Sequence, residues 1–157
     1  MKIECDGHKF DSNEEYEFYL WLVEAKSVGL VHSFTHHPDS FVLSDKVAHN
    51  GKHLLRKHFY TADFKVKTTE DIGLRGGVDD FTYFVDVKGG FNLYNNHREF
   101  SINQKWLFQK FNIFINKVEP TKWFHKHWCP KKALLTEKTK QIRKKYLHCK
   151  LLEDIPK

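Results

Sequence analysis

Two β-rich stretches, 56–67 and 80–88, flank a segment punctuated by Gly73, Gly76 and Gly77, and this arrangement constrains the fold more than any other feature of the chain. The first stretch alternates and is aromatic, the second is a β-rich run of aromatic and β-branched residues, and 68–78 has the makeup of a connection. The expectation is a hairpin whose second strand stops at Gly89-Gly90. Asp63 follows Phe59-Tyr60-Thr61-Ala62. Asp86 and Lys88 share one face of the second strand, with Val85 and Val87 on the other. Antiparallel pairing through the loop would bring Asp63 to Asp86. Carboxylates that close repel each other unless a cation lies between them, and a lysine beside such a cation can handle a water. The plain alternative is three polar residues on a solvated strand face, with Lys88 simply pairing with Asp86.

The flanking sequence supplies the rest of an α/β (α+β) domain. Ser12 caps a helix running to about Ser27, Ser12-x-x-Glu15 reads as a capping box, and Phe18, Trp21, Leu22 and Ala25 form its apolar stripe. Short strands are expected at 30–35 and 40–43, a turn region at 45–52 around Asn50-Gly51, and a polar loop at 92–98. Ser101 is a cap for a helix to about Lys110. A strand follows at 113–118, a short aromatic strand at 123–128 and a basic helix at 132–149. A chain of 157 residues fits one domain, spanning 1–157.

No apolar run approaches the roughly 20 residues of a bilayer span, and the N-terminus lacks the apolar core of a signal peptide. These features predict a cytoplasmic protein without a membrane partner. Cys5, Cys129 and Cys149 are an odd, widely spaced set and no disulfide framework. The charge of +6 suits a phosphate-backbone partner. Basic residues crowd into 131–150, where Lys140, Arg143, Lys144 and Lys145 could follow DNA or merely solvate a helix. His125, His127 and Cys129 would share a strand face and, with Cys149 or His148, offer a rival zinc set. His36, His37, His53 and His58 are expected at the surface or on phosphates rather than as ligands.

Taken in order, Ser12-Asn13-Glu14-Glu15, Tyr60-Thr61-Ala62-Asp63-Phe64, Phe84-Val85-Asp86-Val87-Lys88-Gly89 and Phe100-Ser101-Ile102-Asn103-Gln104-Lys105 resemble the active-site motifs of the PD-(D/E)xK nuclease superfamily. The similarity points in particular to phage Holliday-junction resolvases and related small phage endonucleases. It covers about 10–120, leaving 121–157 as a basic extension, and Ala62 stands where that family usually carries Pro.

The resemblance implies a restriction-endonuclease-like αβββαβ core, a central mixed sheet flanked by helices. It implies Mg²⁺, replaceable by Mn²⁺, on Asp63, Asp86 and the Val87 carbonyl, with Glu15 reaching the ion through water. Glu14 competes with Glu15 for that role. Lys88 would orient or deprotonate the attacking water, or stabilise charge on the phosphorane. Gln104 and Lys105, opening the next helix, would help orient the site or the DNA, or are simply an exposed helix start; independently of the resemblance, Asn95, Asn96, His97 and Arg98 lie where a loop could touch a phosphate. The implied activity is endonucleolytic hydrolysis of branched or Holliday-junction DNA by a homodimer. The alternatives are a restriction, homing or nicking type endonuclease on duplex DNA, or a non-catalytic DNA-binding protein on the same fold.

Overall fold

The computed structural model describes residues 3–79, 81–89, 94–134 and 141–155. The chain opens with an antiparallel pair, β1 (Ile3–Cys5) and β2 (His8–Phe10), followed by helix α1 (Asn13–Ser27). Then come β3 (Val31–His36), β4 (Phe41–Ser44), β5 (Val47–His49), β6 (Lys52–Leu55), β7 (His58–Tyr60), β8 (Phe64–Thr68) and β9 (Thr82–Val87). Helix α2 (Tyr94–Phe111), β10 (Ile115–Val118), α3 (Pro120–Lys126) and the single turn α4 (Lys131–Leu134) complete the regular elements, with 3₁₀ turns at Lys144–Tyr146 and Leu152–Asp154.

The central sheet is mixed, in the order β10-β9-β8-β3, with β10 parallel to β9 and the other pairs antiparallel. The β8–β9 hairpin pairs Phe64 with Val85 and Lys65 with Phe84. Its two faces bury different clusters. Tyr83, Val85 and Val87 pack with Phe18, Trp21 and Leu22 of α1 and with Phe124 of α3. Phe84 and Ile115 pack on the opposite face against Leu107 and Phe100 of α2, with Tyr60 and Leu43 from the β4–β7 pair. Side chains as fully buried as Phe64 and Leu107 each contribute about 1.5–3 kcal/mol. Helix α1 is buried almost all round, because the C-terminal segment covers the side the sheet leaves open. Among the described residues no helix is long and apolar enough to cross a membrane.

Five local expectations change. The stretch 56–67 is two strands rather than one: β7 pairs with β4, β8 with β3, and the chain passes between sheets at 61–63. The turn region at 45–52 contributes to a second hairpin, β5–β6, turning at Asn50-Gly51, both with positive φ as such tight turns require. Helix α2 starts at Tyr94, so Ser101 lies inside it; the helix takes in Asn95–Arg98, while Asn92 lies outside the described residues. The 123–128 stretch is helical to Lys126 because Pro120, at the first helical turn, presets φ for a helix.

Of the basic helix expected at 132–149, the described residues form only the α4 turn, and 141–149 is not α-helical. There the main chain bonds to other segments: Arg143 N–H donates to Leu134 O at 2.9 Å and Cys129 N–H to Lys150 O at 2.7 Å. Tyr146, fully buried, anchors the segment against α1.

Candidate active site at one end of the central sheet

Three strands and a helix bring their polar residues to one end of the sheet. The register aligns His36, Phe64 and Val85 across β3, β8 and β9, so the residues just beyond them are neighbours. One step past the Phe64–Val85 pair, Asp63 faces Asp86. Asp63 N–H donates to Val85 O at 3.0 Å, and its Oδ2 accepts the Val87 N–H at 2.7 Å. Asp86 is buried; its Oδ2 accepts the Tyr60 hydroxyl and its Oδ1 lies 3.0 Å from Lys88 Nζ. Lys88 also lies 5.3 Å from the centre of the Phe100 ring, so its ammonium is held between a carboxylate and an aromatic face.

The first helix adds its acids from the other side. Ser12 Oγ accepts the Glu15 N–H at 3.1 Å, half of the capping box. The Glu15 carboxylate turns inward: its Oε1 lies 2.5 Å from His36 Nε2 and 2.9 Å from His37 Nε2. Glu14 runs along Gly89, its Oε1 3.1 Å from where a Cβ would stand, so a side chain at Gly89 would press on this acid. Both candidate helix acids therefore flank the Asp86–Gly89 segment or its neighbours.

His36 and His37 join the site against the expectation of surface histidines. His36 is only 4% exposed at its side chain, whereas His37 is 40% exposed. Strand alternation would send adjacent residues to opposite sides. His37 escapes it with a φ of +51°, a left-handed backbone that costs a non-glycine residue about 1 kcal/mol or more. Its place before Pro38 favours extended backbone instead, so the surroundings hold the turn, helped by the His37 N–H to Asp63 O bond at 2.8 Å. The only trace in the sequence is a histidine pair between a strand and a proline.

Burial, then the negative charges of Asp86 and Glu15, push the Asp63 carboxyl up to about 8; the Val87 N–H and Lys88 oppose this more weakly. Burial lowers His36, against the opposing effect of its hydrogen bond with Glu15. Burial and Asp86 raise the Tyr60 hydroxyl, which keeps it a donor. Three carboxylates thus converge where the protein supplies Lys88 as a close cation.

A cleft of about 270 Å³ opens at Asp86 and Lys88, lined also by His58, Phe59, Phe100 and Asn103. His58 Nε2 is 2.8 Å from Asn103 Oδ1 and its ring stacks on Trp106 at 5.1 Å. His58 is therefore a cleft wall rather than a free surface histidine. From this wall the β5–β6 hairpin projects with all seven strand residues exposed. Lys46, Lys52, Arg56 and Lys57 lie on or beside it.

The remaining predicted DNA-binding residues are scattered. Gln104 donates its amide to Ile115 O at 2.7 Å and so ties α2 to β10. Lys105 and Arg98 are exposed on α2, and Lys144 is exposed in the C-terminal segment. Arg143 and Lys145 instead reach the buried Glu17 carboxylate at 3.2 and 3.1 Å. Lys140 lies outside the described residues. The rival zinc set does not assemble: His127 packs on Trp123 at 4.2 Å, and Cys129 is buried, its thiol pushed up to about 12 by burial. Among the described residues, the group with donors close enough for a metal is Glu15, His36 and His37.

A family model described as "Protein of unknown function (DUF1064)" matches residues 1–118, and the chain belongs to that family. No curated protein and no solved structure matches it.

Proposed function

We propose that this chain, as a member of the DUF1064 family, is a metal-dependent endonuclease that hydrolyses phosphodiester bonds in DNA, with branched or Holliday-junction DNA as its preferred substrate. The observation that carries this is the meeting of Asp63 before β8, Asp86 and Lys88 at the end of β9, and Glu15 of α1 at one end of the sheet. The order α1, β3, β8, β9, α2, β10 around that sheet is the one a restriction-endonuclease-like core would have, and it supports the reading.

The donor set suits a hard divalent cation. Burial, and after it the charges of Asp86 and Glu15, push the Asp63 carboxyl up to about 8, and a cation can take the place of its proton. Mg²⁺ or Mn²⁺ would be held by Asp63, Asp86 and the Val87 carbonyl, with Glu15 nearby. Such an ion, when bound, supplies charge for the phosphate and a more acidic water. The protein's own groups do the positioning. Tyr60 and Lys88 fix the two oxygens of Asp86. Lys88 faces the cleft, where it can orient the attacking water and offset charge gathering on the phosphoryl oxygens. Water adds to phosphorus as the bond to the 3′ oxygen breaks, and a proton reaches that oxygen through solvent.

The exposed basic β5–β6 hairpin beside the cleft gives DNA a surface to lie on. Strand ribbons also enter grooves, which makes a sequence-specific endonuclease on duplex DNA the second reading. A resolvase would act as a homodimer, cutting two strands symmetrically.

The test presents labelled four-way junction, flap, duplex and single strand to the protein with Mg²⁺, with EDTA and beside Asp86→Asn. Metal-dependent cutting of the junction, lost in the variant, is expected. Cutting of duplex at one defined sequence would move the assignment to the second reading. Tight, salt-sensitive binding with no cutting would leave a DNA-binding protein.

A further inference from the structure

We propose that Glu15, His36 and His37 form a transition-metal site that needs neither Asp63 nor Asp86 and shares only Glu15 with the oxygen-rich site. Their donor atoms all lie within 4.8 Å of one another. Both imidazoles address the same oxygen, Glu15 Oε1, at 2.5 and 2.9 Å, with their rings stacked at 3.8 Å. One histidine would suffice to orient a glutamate. The second arrives only because His37 adopts a left-handed backbone, φ +51°, that returns its ring to the side of His36. A strained residue that brings a third donor to a cluster is the arrangement expected where function holds the backbone.

The chemistry of the set defines the ion. Two imidazoles and one carboxylate suit Zn²⁺, Mn²⁺, Co²⁺ or Fe²⁺, whereas Mg²⁺ prefers oxygen alone. Metal–donor bonds of about 2.1 Å place donors roughly 3–3.5 Å apart, a span the cluster can reach when the ion replaces the two hydrogen bonds. Glu15 and His36 are enclosed, and His37 is open to solvent, so the ion has an entry path and room for water. Phe10 and Phe64 pack on the His36 ring at 4.7 and 5.1 Å and hold it. The binding site stands on this geometry; any part in cleavage rests on the nuclease reading.

The test titrates Co²⁺ into metal-stripped, full-length protein and follows visible ligand-field absorption, with excess Mg²⁺ present throughout. Wild type is expected to bind one equivalent with a band that Mg²⁺ does not displace. Asp86→Asn should keep the band while losing any cleavage, which separates this site from the nuclease assignment. His37→Asn, chosen because Asn tolerates left-handed backbone, and His36→Gln should each weaken binding by about 10–100-fold or more. Circular dichroism and thermal melting confirm that both variants fold. Absence of a band in wild type would overturn the site. So would a band unchanged in both histidine variants, or one lost in Asp86→Asn.

Discussion

Asp63 pins the main chain of Val87: its Oδ2 takes the Val87 N–H at 2.7 Å, between Asp86 and Lys88 in sequence. One carboxylate oxygen thus fixes the backbone that presents the other two polar side chains. Asp63→Asn keeps an acceptor for that N–H, and Asp63→Ala does not. Asp63→Ala should therefore be less stable than Asp63→Asn by about 1–2 kcal/mol in urea unfolding, while both abolish cleavage.

The same carboxyl sets a pH dependence. Asp63 is pushed from its usual 3.8 up to about 8, so between these values the folded chain holds a proton that the unfolded chain releases. Its contribution to the stability of metal-free protein is then full below about pH 4, falls as pH rises, and levels off above about pH 8. Melting temperatures in EDTA, taken as wild type minus Asp63→Asn, should decline across that window. A flat difference would refute the shift. Proton release on Mg²⁺ binding below pH 8, read by calorimetry in buffers of different ionisation heat, is the companion result.

Tyr60→Phe removes the donor to Asp86 Oδ2 without changing ring packing. A buried carboxylate oxygen then lacks its partner. Stability should fall by about 1–3 kcal/mol and cleavage should slow, whereas DNA binding should not change. Equal loss of binding and cleavage would place Tyr60 on the DNA instead.

The β5–β6 hairpin makes an electrostatic prediction. Replacing Lys52, Arg56 and Lys57 by Gln should weaken DNA binding at all sequences alike. It should also lower the slope of log affinity against log salt by about 0.9 for each duplex phosphate that is no longer neutralised. An unchanged slope would remove the hairpin from the interface.

Glu17 is buried and receives Arg143, Lys145 and the Tyr146 hydroxyl. Glu17→Ala leaves those donors without it. Because Arg143 and Lys145 keep some solvent, the expected cost is about 2–3 kcal/mol, below that of a wholly buried pair, measured by chemical unfolding at pH 7. A cost under half a kilocalorie would mean the interaction is only a surface pair.

The hairpin that pairs Asp63 with Asp86 was legible because a glycine-punctuated segment separates two β-rich runs and strand geometry fixed which residues meet. The break within the first run was not. Tyr60, Ala62 and Phe64 continue the alternation although the chain changes sheets there. Polar Asn95, Asn96 and Arg98 concealed the first turns of α2. Aromatic residues at 123–128 outweighed the signal of Pro120. His37 reached the site through a backbone turn that no periodicity encodes. Arg143 and Lys145 looked free because the buried carboxylate that claims them lies more than a hundred residues away in sequence.

The family match stops at residue 118, yet helix α1 is fastened by chain beyond it. Glu17 is held from 143–146, and Glu24, two turns along, accepts the Trp128 indole N–H at 3.2 Å and the Lys131 N–H at 2.7 Å. Glu14 and Glu15 lie in the first turn of this helix, within one turn of Glu17. The tail is thus part of the mould in which this helix sets, and a substitution there is expected to loosen the seat of both acids without touching either.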